Sequence, residues 1–105
     1  MIYTSTNNYE SIEKLIGEIK VKLHKNFEIK KEYKLKVVTE VTEIRYLDRI
    51  SATADILQIG SRNMQNLELL RECAILKKPI ILKRHFGASI RDFLGAAEHI
   101  LIEGN

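Results

Sequence analysis

Two short apolar segments of the chain each end on basic side chains that can hold an oxyanion. Ile56–Ile59 leads through a turn to Arg62, and Pro79–Leu82 leads directly to Lys83 and Arg84. An arginine guanidinium offers a planar fork of donors that fits two oxygens of a phosphate, whereas a lysine ammonium is a compact charge suited to a carboxylate. These residue types predict a binding site for a small molecule that carries both groups.

Other groups near these cations would complete such a site. The turn at Gly60 and Ser61 exposes backbone N–H groups beside the start of a helix, where the helix dipole favours an anion. Glu40 ends an earlier strand-like segment and would orient a water molecule or hold a neighbouring lysine. Taken singly, each of these residues is also typical of an ordinary exposed strand end, so only their combination indicates chemistry.

The remaining candidates for chemistry have simpler interpretations. His85 is typical of a loop, His99 of the exposed face of a helix, and Cys73 of a helix side chain that contacts its neighbours. Cys73 and His99 lie on different expected helices, and their spacing does not resemble that of a metal site. The spacing of these residues therefore predicts no metal ligands.

Three segments rich in β-branched and aliphatic residues are expected to be the strands that position the candidate site. They are Lys36–Val41, Ile56–Ile59 and Pro79–Leu82. Nearly continuous apolar strands separated by amphipathic helices are typical of a parallel sheet covered by helices. Ligands gather at the carboxyl ends of the strands in such sheets, so we expect the charged strand ends to meet at one edge.

Helices are expected before the first strand and after each strand. Helical spacing of apolar residues predicts a first helix from about Tyr9 to Lys25, with a second short helix around Phe27 and Ile29. Thr42 is expected to cap the helix after the first strand. The helix after the second strand is expected to begin at Asn63 or Asn66.

The last helix has the best-defined signals. Ser89 and Asp92 resemble a capping box with Asp in place of Glu, and Gly104 is a suitable stop at the C-terminus. This helix is expected to bury one apolar stripe, formed by Ile90, Phe93, Leu94, Ala97, Ile100 and Leu101.

The bulk composition limits the class of protein. The 105 residues are 45% hydrophobic and 30% charged, which is typical of one globular domain. No apolar run approaches the roughly 18 residues needed to cross a membrane, and no signal peptide is evident. The single cysteine fits a reducing cytoplasm. The net charge of +3 lies in residues 1–36, where lysines alternate with glutamates without interleaved aromatic residues, so nucleic-acid binding is not expected.

With these elements in place, four segments resemble the type I branch of 3-deoxy-arabino-heptulosonate 7-phosphate (DAHP) synthase, which includes 3-deoxy-octulosonate 8-phosphate synthase. They are Val37–Val41, Ala54–Asn66, Lys78–Arg84 and Ala96–Asn105. The resemblance implies an α/β fold, namely a partial (β/α)8 TIM barrel with about three βα units of parallel strands preceded by an amphipathic helix. Residues 36–105 would be these central units, and residues 1–35, which match weakly, would be an amino-terminal helical segment.

The family reaction implied by this resemblance condenses phosphoenolpyruvate with erythrose 4-phosphate at a divalent metal, in the shikimate pathway to aromatic amino acids. By resemblance, Arg62 would bind the phosphate of phosphoenolpyruvate beside the Ser61 backbone. Lys83 would contact its carboxylate near the reacting carbon, and Glu40 would face the same pocket, so these two would be the catalytic residues. Gln58 would point into the barrel close by.

Arg84, next to Lys83, is counted with the substrate-binding residues. The resemblance also shows departures from the family. The family's metal-binding cysteine, its later metal ligands and its Lys-Pro-Arg-Thr loop have no counterpart, and residues 85–87 replace the usual Gly-Met and small residue.

Three outcomes follow from these departures. The first expectation is a truncated synthase-like chain that is inactive alone and prone to self-association. The second is one part of a split enzyme that another barrel chain completes. The third is a non-catalytic module that binds a phosphorylated metabolite.

Overall fold

The computed structural model describes residue 25 and residues 27–105. Strand and helix alternate three times after a first helix, so the expected α/β architecture is confirmed. The elements are α1 (residues 27–33), β1 (Val38–Glu40), α2 (Leu47–Thr53), β2 (Ile56–Ile59), α3 (Leu67–Ile75), β3 (Ile80–Leu82) and α4 (Ile90–Ile102). The expected helix from Tyr9 to Lys25 lies outside the described residues, apart from Lys25 itself.

The three strands form one parallel sheet in the order β1-β2-β3. Glu40 pairs in register with Gln58, and Gln58 pairs with Ile81, so these three residues form a row across the sheet. Side chains alternate between the two faces of a strand, so Lys83, two residues beyond Ile81, continues the same face. Parallel pairing therefore brings the expected strand ends to one edge.

The opposite face of the sheet packs against the helices. Leu57 and Ile59 on β2 are fully buried, as are Leu69, Leu70 and Cys73 on α3. Burying an aliphatic side chain of this size stabilises the fold by roughly 1.5–3 kcal/mol. The helix layer over β2 is therefore the hydrophobic core of the described part of the chain.

The helix caps agree only partly with expectation. The Asn66 side chain accepts a hydrogen bond from the Leu69 N–H at 3.3 Å, so Asn66 rather than Asn63 begins α3. The capping box between Ser89 and Asp92 is present in both directions. Gly104 follows α4 with a φ of 79°, which favours glycine, as expected.

The expected cap at Thr42 is wrong. A 3-10 turn, Ile44–Tyr46, begins after Glu43 and leads into α2 without a side-chain cap. The Tyr46 N–H donates to the Glu43 carbonyl at 3.2 Å. This backbone hydrogen bond closes the 3-10 turn, which leads into α2 in place of a side-chain cap.

The expected single stripe on α4 is also wrong. Ala96 and Ile100 are buried, whereas Leu94 and Leu101 are 56% and 62% exposed, and Ile90 is exposed as well. The sheet and α3 cover only one side of α4, so the expected stripe divides into a buried face and an exposed face. No helix in the part of the chain that the structure describes is long and apolar enough to span a membrane.

The amino end of the sheet is held by a carboxylate. Asp55, just before β2, accepts hydrogen bonds from Lys30 Nζ on α1 at 2.8 Å and from the Val37 N–H at 2.9 Å. The hydrogen bond from Lys30, then the one from Val37, holds the pKa of Asp55 below its usual value. Asp55 thus ties α1 and the first two strands together.

Candidate anion-binding site at the carboxyl ends of the strands

Two polar side chains from the strands are buried at this end of the sheet. Glu40 is 6% exposed and Gln58 is 3% exposed, and they stand on neighbouring strands in the same register row. Within residues 27–105, Glu40 Oε2 and Gln58 Nε2 have no hydrogen-bond partner. A buried polar atom without a partner costs about 1–3 kcal/mol, and such costs are typical of functional sites.

Gly60 makes room for the buried carboxyl group. It follows β2, and a Cβ placed there would overlap Glu40 Oε1. Any larger residue would therefore push the Glu40 side chain out of its present position. The glycine of the Gly60 and Ser61 turn thus allows the close approach of Glu40, in addition to forming the turn.

Arg62 is presented by a short 3-10 turn, Ser61–Asn63, directly after β2. The Asn63 N–H donates to the Gly60 carbonyl at 2.9 Å, and the buried Met64 anchors the end of the turn. The first N–H groups of a helical turn have no acceptor within it, so those near Ser61 are suited to an anion. The Arg62 side chain is exposed and has no ion pair within residues 27–105.

The two cations after β3 differ in their surroundings. Lys83 is exposed and has no hydrogen bond from its side chain to any residue in the described range. Arg84 donates from Nε and Nη2 to the Ala88 carbonyl, at 3.0 and 2.8 Å. The structure therefore shows Arg84 bracing the loop after β3, whereas Lys83 is left available.

A cavity of about 400 Å³ opens beside Arg62. Its lining includes Ser61 and Arg62 from the turn after β2, and His85 and Asp92 from the segment after β3. His85 was predicted to be a loop residue without a role, and its position in the cavity of Arg62 was not predicted. The departure from the family pattern at residues 85–87 was the only signal in the sequence that pointed to it.

The residues that the structure describes do not fit a metal. No group of three or more His, Cys, Asp or Glu side chains in this range could hold an ion. Cys73 is completely buried in the core, and burial raises the pKa of its thiol to about 12. A thiol with this pKa stays protonated at neutral pH and is a poor metal ligand.

The fold and the site together define a class of protein. Parallel strands with covering helices, and charged and buried polar side chains at the strand carboxyl ends, are the arrangement of a (β/α) barrel segment. The model of the DAHP synthetase I family matches residues 8–105, starting upstream of the four segments quoted above. The chain therefore belongs to the DAHP synthetase I family.

Individual relatives agree with this assignment. The phospho-2-dehydro-3-deoxyheptonate aldolase of Thermotoga maritima is 43% identical over 74 residues, which are 70% of this chain and 22% of the relative. The crystal structure of a DAHP synthase from Thermotoga maritima superposes with a TM-score of 0.83 at 36% identity, covering 99% of this chain and 29% of that one. A truncated form of the Thermotoga enzyme gives a TM-score of 0.78 at 40% identity, over 81% and 32% of the two chains.

These comparisons confirm the expected partial TIM barrel. They also show its extent, because the chain spans between about a fifth and a third of the length of these relatives. The region in common contains the three βα units described above.

Proposed function

We propose that this chain provides the phosphoenolpyruvate-binding part of a DAHP synthase site. The protein that contains it would condense phosphoenolpyruvate with erythrose 4-phosphate, the transferase reaction that opens aromatic amino acid biosynthesis. The observation that carries the proposal is the buried pair Glu40 and Gln58, unpartnered within residues 27–105, beside the exposed cations Arg62 and Lys83. Membership of the family supports the choice of substrate.

Each residue has a role in this proposal. Arg62 binds two phosphate oxygens through its guanidinium, with the Ser61 backbone N–H beside it. Lys83 neutralises the carboxylate of the substrate next to the reacting carbon. Glu40 orients a water molecule or Lys83, and the Gln58 amide donates a hydrogen bond within the same pocket. Arg84 contributes indirectly, by holding the loop that follows Lys83.

We further propose that the 105 residues do not catalyse the reaction alone. They supply three parallel strands, whereas a complete (β/α) barrel has eight and needs about 250 residues. The site would act in the cytoplasm, after further barrel strands and the family's divalent-metal ligands are supplied by another part of the protein or by a complementing chain.

Titration calorimetry with phosphoenolpyruvate tests the binding role. We expect Arg62→Ala to weaken binding by about 1.5–3 kcal/mol, because a charged hydrogen-bonding group is lost. Arg49→Ala is the matched control, since Arg49 is an exposed arginine on α2 and should leave binding unchanged. Equal affinities of the two variants would remove Arg62 from the site.

The second candidate function is a binding module without catalysis, which would hold a phosphorylated metabolite through the exposed cations Arg62 and Lys83. Phosphoenolpyruvate should then bind equally well with and without a chelator. An assay with phosphoenolpyruvate, erythrose 4-phosphate and manganese separates the two candidates. Product formed above background by the purified 105-residue chain would contradict the proposed inactivity, and no binding at millimolar ligand would contradict the module.

A further inference from the structure

The cavity beside Arg62 has a second side chain that can bind an anion. His85 follows the two cations after β3 and lines the same cavity as Ser61 and Arg62. It is half-buried. His85 is therefore placed to contact a ligand that Arg62 holds.

The loop fixes the His85 ring in one orientation. The Ala88 N–H donates to the His85 carbonyl at 3.0 Å, which closes a turn, and Arg84 holds the Ala88 carbonyl from the other side. The ring also stacks on Phe86, with centroids 4.5 Å apart and planes inclined by 28°. A ring held by these contacts loses little conformational freedom on binding.

The turn also decides which ring nitrogen can donate. His85 Nδ1 accepts a hydrogen bond from the Gly87 N–H at 3.0 Å, so Nδ1 carries the lone pair. In a neutral imidazole the proton then lies on Nε2. Nε2–H is therefore a fixed donor, and it has no hydrogen-bond partner within residues 27–105.

We propose that His85 is a specificity-determining residue of the anion site, and that its Nε2–H donates a hydrogen bond to the phosphate group bound by Arg62. This inference rests on the proposed function and deepens it. A phosphate has more acceptor oxygens than a carboxylate, so it can use both the guanidinium and the imidazole. The contact therefore selects the phosphate end of the substrate over the carboxylate end.

The charge of Asp92 is a second reason why a donor at His85 would favour phosphate binding. Asp92 is the carboxylate that lines the cavity, and its hydrogen bonds to Ser89 hold its pKa below the usual value, so it is ionised at neutral pH. A phosphate bound by Arg62 alone would be repelled by this negative charge in the same cavity. The Nε2–H donor of His85, which lines the cavity as well, offsets part of that repulsion.

Two substitutions of His85 separate binding from a merely structural role. In His85→Asn, the side-chain oxygen can still accept the Gly87 N–H, but the distal donor is lost. In His85→Gln, the longer amide restores a donor near the position of Nε2. His99→Asn is the matched control, because His99 is exposed on α4 and does not line this cavity.

The measurement is titration calorimetry of the 105-residue chain with phosphoenolpyruvate, inorganic phosphate and pyruvate, with circular dichroism to confirm folding. We expect His85→Asn to weaken phosphoenolpyruvate and phosphate binding about tenfold, with His85→Gln within about threefold of the parent chain. Pyruvate, which lacks the phosphate, should bind all variants equally.

The outcomes distinguish this inference from the proposed function. If the parent chain binds phosphoenolpyruvate and His85→Asn binds it equally well, the role of His85 is refuted and the proposed function stands. Equal losses in His85→Asn and His85→Gln would also refute it, because the distal donor that Gln restores would then contribute nothing to binding. If the parent chain binds neither phosphoenolpyruvate nor phosphate, the proposed function fails, and the inference fails with it.

Discussion

The polar groups at the two ends of the sheet differ in their hydrogen bonding. At the amino end, Asp55 is bound by Lys30 and by the Val37 N–H, and Lys78 donates to the carbonyls of Ser51 and Ala54. At the carboxyl end, the buried polar atoms of the strands lack partners in the described range, and the nearby cations are exposed. The amino end therefore uses its charges to join elements, whereas the carboxyl end leaves Arg62 and Lys83 available.

This difference separates the residues that stabilise the fold from the residues that are available to bind a ligand. A satisfied carboxylate at the amino end stabilises the fold through several hydrogen bonds at once. An unsatisfied carboxyl group at the carboxyl end lowers stability, and a ligand can recover that cost on binding. In (β/α) barrels the carboxyl ends of the strands hold the active site, and the opposite face serves stability. The following substitutions test whether this division holds here.

The largest effect is expected at the amino end, for Asp55→Ala. The change removes the acceptor of Lys30 Nζ and of the Val37 N–H, so we expect the free energy of unfolding to fall by about 3 kcal/mol. Denaturant unfolding measures this loss. Asp48→Ala, at an exposed aspartate of α2, should change stability by less than about 0.5 kcal/mol.

The same residue predicts the pH dependence of stability. The pKa of Asp55 is lowered in the folded chain, so its contribution is present above the unfolded value of 3.8 and disappears as the pH falls through the folded value. Stability should therefore fall below about pH 4, and part of this fall should be missing in Asp55→Asn. An identical acid profile for both chains would show that Asp55 does not hold the amino end.

At the carboxyl end, Glu40→Met should have the opposite sign. It replaces a buried carboxyl group by an apolar side chain of similar length. One oxygen of that carboxyl group has no hydrogen-bond partner within residues 27–105. We expect a gain of about 2 kcal/mol in the free energy of unfolding and weaker binding of phosphoenolpyruvate. Glu98→Met, at an exposed glutamate of α4, is the control. A loss of stability in Glu40→Met would place Glu40 with the structural residues.

The smallest effect is expected for Ser89→Ala, which tests whether every polar group near the carboxyl end is functional. It removes the hydrogen bond from the Asp92 N–H to Ser89 Oγ, so stability should fall by about 1 kcal/mol. The pKa of Asp92 should rise, because its hydrogen bond to the Ser89 side chain lowers it. NMR titration follows this change, and Ser51→Ala is the control. A large loss of ligand binding would extend the functional region to the start of α4.

Much of the fold could be predicted from short-range patterns. Aliphatic runs gave the three strands, and Ser89, Asp92 and Gly104 marked the two ends of α4. The placement at one edge of the sheet of the segments that carry Glu40, Ser61, Arg62 and Lys83 followed from one rule, that parallel strands bring their carboxyl ends to the same edge. The division at residue 35 and the substrate roles of these residues stay predictions.

The two failures have different causes, one in the local backbone and one in contacts between distant residues. Thr42 looked like a cap, but the helix began through a 3-10 turn after Glu43. Leu94 and Leu101 looked like core residues, but α4 buries only the side that faces the sheet and α3. The side on which a helix is covered depends on its neighbours, and helical spacing alone does not give it.

The sequence by itself determined the family, the parallel strands and the positions of Arg62 and Lys83, because local patterns and strand order carry that information. Only the tertiary structure decided how those side chains are used. It placed His85 in the cavity of Arg62, and it committed Arg84 to the Ala88 carbonyl. Hydrogen-bond partners and burial depend on the distances that packing sets between separate segments, so neighbouring cations of similar appearance acquire different roles.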